Sequence, residues 1–152
     1  MKLTKKPFDQ LKTDELIDLC YEQLNLKKED ADALKFTNAL IQLIEEQLTR
    51  QLIELFKKCF VKTSKPDVME SLIRNLDLTK KINIIDTIDD KRFKSLIGFL
   101  RKMNNIRNKV FHAKFSELKY NGKNISDIKT QRDMISDYIK ANTIIRHRSH
   151  KV

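Results

Sequence analysis

Two glycines and two prolines are all that 152 residues offer in the way of chain breakers. Tight turns lean on glycine for positive φ and on proline for a fixed φ. A β-sandwich would need many such turns, so this chain is better suited to a few long helices. With 40% hydrophobic and 34% charged residues, it can bury one real core in one main domain. The expected fold is therefore all-α.

Apolar spacing marks out the elements. Residues 1–11 read as an irregular arm, followed by a short helix from an N-cap at Thr13 with Leu16, Leu19, Cys20 and Leu24 on one face. Residues 1–29 make up this N-terminal part, ending in the charged connection Lys27–Asp30. The main bundle is expected over 30–145 and a basic tail over 146–152. From Asp30 to Phe60 a long helix carries Ala33, Leu40, Ile44, Leu48, Leu52, Leu55 and Cys59, with a face wide enough for contact on two sides. Gln47 and Gln51 lie beside that stripe, either as tolerated edge residues or as partners for an arginine across the bundle. Pro66 can open a helix with Val68, Met69, Leu72, Ile73 and Leu76. Asp77 can cap another with Ile82, Ile85 and Ile88, although Ile82–Ile85 is rich enough in β-branched residues to be a strand. Asp89 or Asp90 is the expected start of the next helix. After His112 the pattern fails, and Asn121-Gly122 is the strongest turn signal in the chain. A hairpin of Glu117–Tyr120 against Lys123–Ile125 and an extended loop both fit. Ser126 is the expected cap of a final helix with Ile128, Ile135, Tyr138, Ile139 and Asn142 on one face.

The most informative stretch runs from Leu96 to His112. At about 100° per residue, Phe93, Leu96, Ile97, Leu100, Met103, Val110 and Phe111 share one broad arc, and Arg107 falls near its middle. An arginine is almost never buried without a partner. Beside the arc, Asn104, Asn108 and His112 follow one another at steps of four and stack on successive turns. Histidine titrates near neutrality and can act as base or acid, and the planar guanidinium suits phosphate oxygens. Asn108 can orient the imidazole or hold a phosphate. Arg107 lies about 140° round and about 7.5 Å along the axis from His112, a gap a long side chain spans if the helix end frays. The same residues also admit a bland reading: Arg107 snorkels or pairs with a carboxylate, and His112 caps carbonyls.

Arg107-Asn108-x-x-x-His112, in the setting Met103–Lys114, resembles the signature of the HEPN superfamily (higher eukaryotes and prokaryotes nucleotide-binding domains). The resemblance implies a helical bundle of about five to six helices, here with a possible hairpin after the signature helix. It further implies a metal-independent endoribonuclease with no cofactor and a site at a homodimer interface, in a toxin–antitoxin, stress or antiviral defence setting. Arg107, Asn108 and His112 would then be catalytic, two histidines from two chains serving as base and acid. RNA and an antitoxin or other regulator are the implied partners. Lys114 stands where the best-known toxins of the superfamily carry a tyrosine, so the likeness does not reach that subgroup. A catalytically silent nucleic-acid-binding regulator and a helical protein-interaction module are the alternatives.

The net charge of +10 is compatible with a polyanionic partner, though it also serves solubility. Arg101, Lys102, Lys109 and Lys114 are candidate RNA contacts through counterion release, or lysines and an arginine of an ordinary solvated face. Phe111 and Phe115 could stack on a base. No stretch is apolar enough for a bilayer, and Met1–Pro7 lacks the apolar core of a signal peptide. Isolated Cys20 and Cys59 read as reduced thiols, so a cytoplasmic protein without membrane contact is expected. His147 and His150 lack the further ligands of a zinc site. Gly98 and Gly122 make no phosphate-binding loop.

Overall fold

The computed structural model describes residues 13–23, 32–59, 66–88 and 91–149. It is an all-α bundle of six helices with one small hairpin, as the scarcity of breakers implies. The helices are α1 (Thr13–Gln23), α2 (Ala33–Cys59), α3 (Pro66–Arg74), α4 (Leu78–Thr87), α5 (Lys94–Phe111) and α6 (Ile128–Ser149). Strands β1 (Lys119–Tyr120) and β2 (Lys123–Asn124) pair antiparallel between α5 and α6. Central α5 packs against α2, α4 and α6 and against the hairpin, while α1 lies on α6 and α3 on α2.

Local signals account for most of the boundaries. The Asp32 carboxylate accepts the Lys35 N–H at 2.8 Å and so caps α2, satisfying one of the donors that a helix start leaves open. Asp77 does the same for α4, accepting from Lys80 N–H at 2.8 Å. The isoleucine run after it is helical, not extended. Two sides of α2 are buried: Leu40, Ile44, Leu48 and Leu52 follow the expected stripe, and Phe36, Ile41 and Ile53 widen it. The expected start of α5 at Asp89 or Asp90 lies outside the described residues; a 3₁₀ turn at Lys91–Phe93 leads into that helix. Helix α6 opens at Ile128, with Asp127 rather than Ser126 at the cap position and its carbonyl accepting the Gln131 N–H at 3.1 Å. Helix α6 is described as far as Ser149, and residues 150–152 of the expected tail lie outside the described residues.

In the hairpin, Asn121 and Gly122 take φ of 50° and 79°. Both positive values suit the two-residue type I′ turn that Asn-Gly favours. Tyr120 pairs with Lys123 and Lys119 with Asn124. A further bond from Ile125 N–H to the Leu118 carbonyl, 3.2 Å, extends the ladder. Leu118, Tyr120 and Ile125 are buried and pin the hairpin to the bundle.

Most polar side chains inside the bundle are paired, as low-dielectric burial favours; Thr37 Oγ1 and Asn104 Oδ1 are buried without a partner among the described residues. The Gln47 carboxamide oxygen accepts from the Tyr138 hydroxyl and, at 3.1 Å, from the Asn142 amide. Gln51 donates to Asn142 Oδ1 at 3.2 Å. The two glutamines therefore bind α2 to α6 and do not reach an arginine across the bundle. Fully buried Gln131 accepts the Tyr21 hydroxyl at 2.9 Å and donates to the Ile125 carbonyl at 2.9 Å, joining α1, α6 and the hairpin. Lys81 is only 3% exposed, and its ammonium meets Glu45 of α2 at 3.3 Å. Among the described residues no helix is long and apolar enough to cross a membrane.

Candidate active site at the end of the fifth helix

The buried face of α5 is Leu96, Phe99, Leu100, Met103 and Ile106. This arc is rotated from the expected one, taking in Phe99 and Ile106 while Ile97 and Val110 are only partly buried. Past Ile106 the coverage of the helix is one-sided: Val110 still packs against the core, while Arg107 is half-buried and Phe111 is 72% exposed. Arg107 thus has the angular position of a core residue without being enclosed. Its guanidinium carbon lies 5.1 Å from the centroid of the Phe111 ring, a cation–π contact. Among the described residues no carboxylate pairs with it.

The helix ends in a Schellman arrangement. His112 is the C-cap, and Ala113 beyond it takes φ of 55°. Ala113 N–H donates to the Val110 carbonyl at 3.0 Å and Lys114 N–H to the Lys109 carbonyl at 2.9 Å. These bonds consume carbonyls of the last turn through the backbone alone. The His112 side chain is exposed, as are Asn108 and Lys114, and Lys109 is half-buried. Arg107, Asn108 and His112 therefore occupy one solvent-facing helix end, with Lys109 and Lys114 beside them. Phe115, 53% exposed, starts the 3₁₀ turn Phe115–Glu117 that follows.

Arg101 and Lys102 do not join this group. Eleven and ten residues before His112, they sit about 15 Å away along the axis. Arg101 binds Asp86 of α4 at 2.7 Å, and Lys102 donates to Asn121 Oδ1 at 3.1 Å on the hairpin side. Asn104 is also engaged, donating to Thr79 Oγ1 at 3.1 Å, whereas its own Oδ1 is buried with no partner. Of the stacked polar edge, then, only Asn108 and His112 are open to a ligand.

Among the described residues no group of three His, Cys, Asp or Glu is placed to hold a metal ion. The contact that the sequence does not announce is Arg107 on Phe111, because helical periodicity puts Phe111 on the apolar arc. The failing pattern after His112 was the available signal that the bundle had no neighbour left to cover that ring. Compared with family models, with curated proteins and with solved structures, the chain matches none.

Proposed function

We propose that this chain is a HEPN-type endoribonuclease that cleaves RNA without a metal. The observation that carries the reading is the last turn of α5. An arginine without a carboxylate partner among the described residues is held on an exposed phenylalanine, five residues before an exposed histidine in the Arg107-Asn108-x-x-x-His112 spacing. In the proposed reaction a base removes the 2′-hydroxyl proton and the oxygen attacks the adjacent phosphorus. The P–O5′ bond breaks, and an acid protonates the leaving oxygen. The products are a 2′,3′-cyclic phosphate and a 5′-hydroxyl. His112 serves as base or acid, Arg107 balances the charge on the phosphorane, and Asn108 orients the imidazole or the phosphate. Each chain supplies one such histidine, so a two-fold pair of chains provides both roles. Exposed Phe111 and Phe115 offer apolar surface for a base or for the partner chain. Lys109 and Lys114 draw the strand in.

The test is single-stranded RNA incubated in EDTA with the wild type, His112→Ala and Arg107→Ala. Cleavage by the wild type, falling about 10²-fold or more in His112→Ala, is the expected result. Equal cleavage by His112→Ala, or none by the wild type, overturns it. Salt-sensitive RNA binding without cleavage would point to the second reading, a silent regulator, which the same exposed apolar pair Phe111 and Phe115 also suits.

A further inference from the structure

On another face of α5 an open cleft of about 340 Å³ lies between α5, α6 and the hairpin. Gly98, Phe99 and Ala141 contribute to its apolar lining, and Lys102, Lys140 and Asp137 to its charged lining beside Tyr120. The Tyr120 hydroxyl donates to Asp137 Oδ2 at 2.6 Å; that carboxylate keeps its charge, and the two lysines against it leave the lining with one net positive charge. The Lys102 ammonium lies 5.6 Å from the centroid of the Tyr120 ring and donates to Asn121 Oδ1 at 3.1 Å. An ammonium has three donors, so Lys102 arrives held in place with donors to spare.

Gly98 is the second, independent observation. It sits in the interior of α5 and is exposed, where glycine costs about 0.5–1 kcal/mol against alanine. A Cβ built there meets nothing within 4 Å, and its φ is not positive. The helix backbone at Gly98 is therefore open to the cleft, with room for a molecule to lie against it.

We propose that this cleft binds a small organic anion, a carboxylate or phosphate head on a short apolar body. The head lies between Lys102 and Lys140, and the body lies over Gly98, Phe99 and Ala141. The proposal is independent of the ribonuclease reading. Titrating the full chain with phenyl phosphate, benzoate, inorganic phosphate and benzyl alcohol, by calorimetry and by the thermal midpoint, tests it. One or both of the organic anions bind, and which of them binds identifies the head. Inorganic phosphate and the neutral alcohol bind at least tenfold more weakly. Gly98→Leu fills the cleft and improves helix propensity, so its midpoint holds or rises while anion binding is lost. Lys102→Gln with Lys140→Gln weakens binding tenfold or more, and His112→Ala binds as the wild type does. Failure of both organic anions to bind the wild type overturns the proposal. So does undiminished binding by Gly98→Leu, or equal loss in His112→Ala.

Discussion

Ala113 takes a left-handed φ of 55° at the point where α5 stops, a conformation that costs an L-residue roughly 1–2 kcal/mol. Glycine is the usual occupant of this position. Ala113→Gly should therefore stabilise the chain by about 1 kcal/mol in urea denaturation, the gain trimmed by the extra freedom of glycine in the unfolded chain. The tyrosines give a second residue-level expectation. Burial, partly offset by Arg132, pushes the Tyr21 hydroxyl up to about 12. Burial first, then the Asp137 hydrogen bond, raises Tyr120 as well. Each folded-state value lies above the unfolded one, so the folded chain holds more protons once the pH passes about 10. The stability these groups contribute is complete below that pH and declines as the pH climbs toward 12 and beyond. Tyr21→Phe should flatten the decline in alkaline unfolding curves, and tyrosinate absorbance of the native protein should lag behind that of a model peptide.

At the scale of elements, the glutamine–asparagine–tyrosine network fixes α6 on α2. Gln47→Ala removes the acceptor shared by Tyr138 and Asn142 and should cost about 1–3 kcal/mol, with no effect on the His112 end of α5. Much of this level was legible in the sequence, because the cap at Asp77, the Asn-Gly turn and the stripe of α2 are local signals. What escaped is where a helix stops being covered. Periodicity reports an angle around the axis and says nothing of how far the neighbours extend along it. Hence Arg107 keeps the core's angle yet is only half-buried, while Phe111 falls outside the rotated arc that the neighbours actually cover. The same blindness affects α3, where Leu72 was assigned to the apolar face and is 65% exposed, and α4, where Lys81 looks like a surface lysine and is buried. A spacing of four is itself a statement about one face, and Asn108 and His112 are both exposed. The cleft at Gly98 could not be, since it needs α6 and the hairpin in place.

For the molecule as a whole, stability rests on the ring of helices around α5. Leu100→Ala, in a side chain 1% exposed, should cost about 2–5 kcal/mol, while Leu72→Ala should stay within about 0.5 kcal/mol; chemical denaturation separates the two directly. The Lys81–Glu45 contact shows how one joint in that ring constrains the sequences that can follow. Removing the glutamate first strands a cation inside the bundle, at a cost of roughly 2–3 kcal/mol given that Glu45 keeps some access to water. Replacing the lysine first with methionine leaves a carboxylate that can still turn outward, and is close to neutral. The same double substitution is thus open by one order of events and closed by the other, so descendants of this chain should lose the base before the acid.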